Sequence, residues 1–287
     1  MPAAPTGWCI ARAGPLQVQR YLADAVLGGI MTRRLIDRKS WLAYIVFSWL
    51  NKLVVRWHFK QMHVRGLENI PQSGPFLLVS NHISRFDGLV IHELIGRPSN
   101  WMVSPNELKG LQGVILRSMG AFPANALCDL VNFLRLRTAQ GEGIVIFPEG
   151  DIYRDGATHP FKNGAARIAL SCAKAGIPFL LVPLAVSYND GLWHTASVNI
   201  GEPIELEMYL RDFSPQSNMG IRDLTVRLFR EVCQLRQNLG ENKDNLTLFT
   251  GRAVKTWVKR RSAALSKLPE TNCYETDKSK LARTLVG

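Results

Sequence analysis

The 287-residue sequence is poor in the features that cross-link, metallate or anchor a chain. Its cysteines (Cys9, Cys128, Cys172, Cys233 and Cys273) are scattered and odd in number, with no Cys-x-x-Cys pair and no Cys/His metal spacing. That excludes a disulfide framework and a zinc ribbon, and it is the usage of a cytoplasm-facing protein with reduced thiols. Cys128 or Cys172 as a nucleophile is one reading; a small buried hydrophobe is the reading expected of both. No apolar run reaches the ~20 residues of a membrane span, since Asn51 and Lys52 stop the longest, Trp41 to Leu50, at about half that length. Residues 1–30 hold no apolar region followed by a cleavage site, and the in-frame Met31 leaves the true start open. Internal repeats are absent too.

Acidic residues are in deficit, 23 against 35 Lys and Arg, for a net charge of +12. The excess is confined to the ends. Residues 1–60 carry nine basic side chains and two acids, residues 61–240 carry sixteen of each, and residues 241–287 carry ten and five. A neutral centre with basic ends lacks the footprint of a nucleic-acid groove, and no RNA- or DNA-binding motif accompanies it. It fits a neutral body whose flanks seek anionic lipid head groups, or a soluble body with solvated basic tails. Around Trp41–Trp57 the cations Arg33, Arg34, Arg38 and Lys39 precede a Trp-rich apolar stretch, as in a helix lying in a membrane interface. A helix buried against the body is the alternative.

What is present is material for a core, 46% hydrophobic residues against 20% charged. From about residue 64, strands and helices alternate. Pro75–Ser80 and Gly143–Phe147 are short continuous apolar runs, as expected of strands buried on both faces. Trp101–Val103, Phe179–Val186 and Ser197–Ile200 read as further strands. A helix is predicted from Asp87, whose carboxylate suits a helix N-terminus. Others are predicted at 107–118, 127–140, 164–175, 219–239 and 249–268, the last basic and amphipathic. Interleaved strands and helices predict an α/β fold, its sheet mixed but largely parallel and flanked by helices.

Chemistry concentrates where two strands end. Asn81-His82-Ile83-Ser84-Arg85-Phe86-Asp87 follows the first. On one continuous helix, residues five apart lie about 140° from each other and do not touch. His82 and Asp87 meet only if His82 sits on the turn leaving the strand and Asp87 in the first turn of the next helix. Asp87 then accepts from one ring nitrogen and leaves the other to take a proton. That is the orienting half of a Ser-His-Asp relay without an enzyme serine, the nucleophile being a substrate hydroxyl. A purely structural pair is the competing reading. Phe147-Pro148-Glu149-Gly150 leaves the other strand and puts a carboxylate at the carboxyl edge of the sheet, where open α/β sheets bind ligands. Glu149 as a solvated turn residue is the plainer reading. Between them, Arg117 lies alone in Gly113–Phe122, either an exposed helix charge or a phosphate clamp.

Together these segments resemble the glycerolipid (lysophospholipid) acyltransferase family over roughly residues 60–205. The resemblance rests on Asn-His-x4-Asp at 81–87, the Gly…Arg block at 113–117, Phe-Pro-Glu-Gly at 147–150 and Val182-Pro183. It implies that His82 is the base and Asp87 its partner. It implies that Arg117 grips an acceptor phosphate, that Glu149 and Gly150 help bind the glycerol backbone, and that Pro183 shapes the acyl site. The expected reaction moves a fatty acyl group from an acyl carrier protein or coenzyme A thioester to the sn-2 hydroxyl of 1-acyl-glycerol-3-phosphate. The product is phosphatidic acid, and the thioester is a co-substrate rather than a bound cofactor. Many members run Phe-Pro-Glu-Gly-Thr-Arg where this chain has Phe-Pro-Glu-Gly-Asp-Ile-Tyr-Arg, so Arg154 is expected to stand in for the missing arginine. Asn125-Ala126 stand where many members carry a basic residue, a second departure near the expected phosphate site. Other acceptors (glycerol 3-phosphate, another lysophospholipid, a non-phosphorylated lipid) remain alternatives, and a non-catalytic membrane-peripheral lipid-binding protein is a rival of another class.

The expected organisation is a basic, membrane-associated helical region at 1–60, an α/β acyltransferase domain at 61–245, a basic amphipathic helix at 246–268 and a disordered tail at 269–287. The expected location is the cytoplasmic face of a membrane, monotopic or peripheral, with an anionic lipid surface, the lysophospholipid and the acyl thioester as partners. No nucleic acid and no metal are expected.

Overall fold

The computed structural model describes residues 35, 37–124, 130–153, 155, 157–177, 179–189, 194–211, 219–241 and 247–248. Most of the basic N-terminal flank, the predicted 249–268 helix, the 269–287 tail, Cys128, Asn125-Ala126 and Arg154 lie outside the described residues.

Eight strands form one sheet in the order β4-β3-β5-β2-β6-β7-β1-β8. They are β1 (Gln61–Arg65), β2 (Phe76–Ser80), β3 (Ser99–Val103), β4 (Ala121–Pro123), β5 (Gly143–Ile146), β6 (Leu180–Asn189), β7 (Thr195–Ile200) and β8 (Thr247–Leu248). The run from β4 to β6 is parallel throughout, β6–β7 and β1–β8 are antiparallel, and β7–β1 is parallel. The mixed, largely parallel sheet expected from the alternation is therefore present. Every residue of β2 and β5 is buried, as their unbroken apolar runs require of strands covered on both faces. Leu77, Val79, Ile144, Ile146, Leu181 and Ala185 join one core cluster with side chains from α4 (Leu130–Ala139), α5 (Gly164–Lys174) and α7 (Met219–Glu241). The small α6 spans Glu207–Leu210. Ala165, Ala166 and Ala169 of α5 are buried in this core.

The helix α1 runs Trp41–His58, through the Asn51-Lys52 pair that ends the apolar run of the sequence. Ser40 caps it, its Oγ accepting from the Ala43 amide at 3.4 Å. Its inward side is mostly polar and its outward side apolar. Asn51 and Val55 are buried, and Ser48 Oγ meets His92 Nε2 at 2.9 Å. Trp41, Leu42, Val46, Trp49, Leu50 and Trp57 are exposed, Trp57 at 85%. The Asn51 amide donates to the Leu89 carbonyl at 3.0 Å, so the residue that interrupts the apolar run is a contact to α2 (Asp87–Ile95). A second exposed apolar group, Leu111, Val114 and Ile115, lies on α3 (Gly110–Ser118). Among the described residues no helix is long and apolar enough to cross a membrane. Lys39, read in the sequence with the head-group-seeking cations, instead joins an ion network with Glu142 (2.6 Å), Asn100 (2.8 Å) and Asp37 (3.1 Å).

Candidate active site

Strand register alone brings the two sequence segments together. In the β2–β5 ladder Phe76 pairs with Gly143 and Val79 with Ile146, and both strands run parallel to the same edge. His82 and Glu149 are 67 residues apart, the offset of that ladder, and they meet: the His82 amide donates to Glu149 Oε1 at 2.8 Å. The other oxygen accepts from the His159 amide at 3.0 Å. The Tyr153 amide in turn donates to the His82 carbonyl at 3.2 Å. Glu149 is buried, and burial pushes its carboxyl above the ordinary range while the two amides pull it back. Its carboxylate is thus already engaged by backbone, holding the loop after β5 to the loop after β2.

Asn81 ends β2 on its other side. The β2–β6 ladder stops at Ser80 and Leu184. Beyond it the fully buried Asn81 side chain takes the place of a strand, donating to the Val186 carbonyl at 3.0 Å and accepting from the Val186 amide at 2.8 Å. Only a carboxamide supplies both a donor and an acceptor in that plane. The backbone is released to turn, and α2 begins at Asp87.

In that turn Asp87 Oδ2 accepts from three groups: His82 Nδ1 at 2.8 Å, the Ile83 amide at 2.8 Å and the Ser84 amide at 2.9 Å. Oδ1 accepts from the Tyr188 hydroxyl at 2.7 Å. Asp87 is fully buried, whereas the His82 side chain is 20% exposed and stacks on Phe147 with ring centroids 4.3 Å apart. With Nδ1 held by Asp87, Nε2 is the ring nitrogen left for a substrate.

His82 lines a cavity of about 1020 Å3 with mostly apolar walls. Phe47, Leu89, Trp101, Met102, Leu116 and Met119 belong to its apolar part. Arg85, Lys162 and Arg167 also line it, with Gly150 and Asp151. Gly150 adopts φ +75°, and a Cβ there would lie 2.3 Å from Lys162 Nζ, so a side chain at 150 would displace the lysine.

Of the residues singled out by sequence, His82 and Asp87 are joined, Glu149 stands behind them, and Gly150 lines the cavity. Arg117, in the last turn of α3, and Pro183, inside β6 opposite Val79, are not among the residues lining it. Arg154 lies outside the described residues. Cys172 is buried, with its thiol pushed up to about 11, which makes it core rather than nucleophile. Sequence reading missed Lys162, Phe147 and Tyr188 as site residues. Lys162 stands in the Phe-Lys-Asn-Gly-Ala-Ala run beside the third motif, and Tyr188 is the one aromatic residue of β6. Either position marks a polar group at the sheet edge that carries His82. Among the described residues no cluster of His, Cys, Asp or Glu is placed to hold a metal.

Residues 61–187 match the family model described as Acyltransferase. The mouse 1-acyl-sn-glycerol-3-phosphate acyltransferase alpha is 24% identical over 60% of this chain and 65% of its own length. The chloroplastic 1-acyl-sn-glycerol-3-phosphate acyltransferase BAT2 of Brassica napus is 30% identical over 50% of this chain and 42% of its own length. The 1-acyl-sn-glycerol-3-phosphate acyltransferase of Borreliella burgdorferi is 28% identical over 54% and 58%. This chain thus spans between two fifths and two thirds of the length of these relatives. Among solved structures, the 1-acyl-sn-glycerophosphate acyltransferase PlsC of Thermotoga maritima shares the fold, with a TM-score of 0.51 at 21% identity over 70% of this chain and 81% of that one.

Proposed function

We propose that this chain, whose residues 61–187 form a domain of the acyltransferase family, transfers a fatty acyl group from a thioester to the sn-2 hydroxyl of 1-acyl-glycerol-3-phosphate. The observation that carries the reading is the His82–Asp87 pair at the wall of a mostly apolar cavity that also holds cations. His82 Nε2 takes the proton of the acceptor hydroxyl while that oxygen attacks the thioester carbonyl. Asp87 holds the imidazolium that forms. The tetrahedral intermediate collapses, the C–S bond breaks, and the departing thiolate recovers the proton from His82. An ester and a free thiol result, with no acyl-enzyme on the way.

The apolar part of the cavity suits an acyl chain. Lys162, Arg85 and Arg167 suit the acceptor phosphate better than Arg117, which is not on the cavity wall. The donor is an acyl carrier protein or coenzyme A thioester. The apolar outer faces of α1 and α3 support docking on a membrane surface, at its cytoplasmic side, through which both lipids reach the cavity.

The test is transfer of labelled acyl groups by the purified protein in detergent, with each thioester in turn and a panel of acceptors. The panel holds 1-acyl-glycerol-3-phosphate, glycerol 3-phosphate, a lysophosphatidylcholine and a monoacylglycerol. The highest kcat/KM is expected with 1-acyl-glycerol-3-phosphate, and none with His82→Ala. Lys162→Ala is expected to raise KM for the phosphorylated acceptors alone. Equal activity in wild type and His82→Ala overturns the mechanism; preference for the monoacylglycerol overturns the acceptor.

A further inference from the structure

We propose that Tyr188 is a positioning residue for the His82–Asp87 pair, its hydroxyl holding Asp87 as the carboxylate so that His82 stays free to accept a proton. In its kinetic form the inference rests on the acyl-transfer reading above. A fully buried carboxylate persists as an anion only when donors surround it. Three donors to Asp87 come from residues 82–84, within its own loop, and all bind Oδ2. Oδ1 takes the Tyr188 hydroxyl, which arrives from 101 residues away.

Tyr188 is itself fixed on both sides. Its backbone pairs with Ala196 in the β6–β7 ladder, and its ring stacks on Phe59 at 5.3 Å and 15°. Burial and the neighbouring carboxylate push its phenol well above the ordinary tyrosine range, so the hydroxyl keeps its hydrogen and donates it. Tyr188→Phe preserves the ring and its stacking and removes one oxygen. Asp87 stays tethered through Oδ2, so the geometry of the turn survives while Oδ1 loses its donor.

The sign follows from the charge of the pair. Its active form, neutral His82 with ionised Asp87, carries one negative charge, and uptake of one proton at either site inactivates it. A hydrogen bond into the carboxylate favours the anion, so removing it raises the pH at which the pair takes up that proton. The groups around the pair are common to both proteins. Glu149 sits on the His82 amide, and Arg85, Lys162, Arg167, Asp151 and His92 line the same cavity. His58 stacks on Phe86, with His194 beyond it.

Two measurements test the proposal. In the first, kcat/KM is followed against pH for wild type and Tyr188→Phe. The acid limb is expected to move up by about one pH unit, with KM little changed and the plateau within about tenfold of wild type. In the second, the titration of His82 is followed by NMR of protein labelled with 13C-histidine in detergent, assigned with His82→Gln. The same upward movement is expected, and this readout needs no activity. A uniform loss of rate with both titrations unmoved makes Tyr188 merely structural and overturns the inference. A moved NMR titration in a protein that acylates no acceptor upholds the role of Tyr188 and overturns the acyl-transfer reading instead.

Discussion

His92 makes the stability of this protein depend on pH in a way that can be worked out beforehand. It lies in α2, 5% exposed, its ring edge-on to Phe47 at 5.2 Å and its Nε2 2.9 Å from Ser48 Oγ. Burial pushes the imidazole down to about 4. In the unfolded chain a histidine takes up its proton near pH ~6.5. Below that pH the unfolded state holds a proton that the folded state refuses until about 4, so stability present at neutral pH is lost as the pH falls. At about 1.36 kcal/mol per unit of pKa difference, the loss reaches about 2 kcal/mol at pH 5 and about 3 kcal/mol at pH 4. His92→Gln keeps a neutral amide within reach of Ser48 and has nothing to titrate. Denaturant unfolding of both proteins in one detergent, at steps from about pH 7 to about pH 4, isolates the contribution of this residue. The gap between wild type and variant should shift against wild type by about 2 kcal/mol by pH 5. Parallel curves over that range would refute the reasoning, because they would mean that folded His92 protonates as freely as unfolded His92.

Glu149→Gln gives one amide a carbonyl partner and turns an NH2 group toward the other. It should cost about 2–3 kcal/mol of unfolding free energy and lower kcat more than it raises KM. A KM effect without loss of stability would instead make Glu149 a substrate contact. Trp49→Ser with Trp57→Ser on the outer face of α1 should weaken sedimentation with anionic liposomes at least several-fold while leaving turnover of detergent-dispersed substrate intact. Unchanged sedimentation would locate the lipid-binding surface elsewhere.

The dyad was legible because its geometry is local. A buried strand, a six-residue turn and a helix starting at an acid leave His82 and Asp87 little alternative but to meet. The contacts that support the dyad were not legible, because they cross the sheet. Val186 and Tyr188 reach it from 105 and 101 residues away, through a strand order that places β6 beside β2. Arg117 illustrates a different limit. Its helix was predicted, and its neighbour Leu116 lines the cavity, but successive helical residues point about 100° apart. Motif position gave the helix and not its rotation. In α1 the Trp-rich apolar side reads as one that lies in a membrane interface, with burial against the body as the alternative; the structure turns Ser48, Asn51 and Val55 inward and leaves the tryptophans exposed. Sequence periodicity marks two faces of a helix; which one is inside depends on the partner, here a helix offering His92 and the Leu89 carbonyl.

The shared offset of 67 between the β2–β5 ladder and the His82–Glu149 contact has a consequence for how the chain tolerates change in length. A single residue inserted into either strand would turn every later side chain of that strand to the opposite face and carry His82 or Glu149 away from the edge where they meet. The short connection between Tyr153 and Thr158 belongs to no strand and is under no such count; it is held on one side by the Tyr153 amide on the His82 carbonyl (3.2 Å) and on the other by Arg236 on Thr158 Oγ1 (2.8 Å). Deletions or insertions should be absorbed there, beside the cations of the cavity, so the chain can lengthen or shorten the rim that meets a new head group while its proton-transfer apparatus keeps its place.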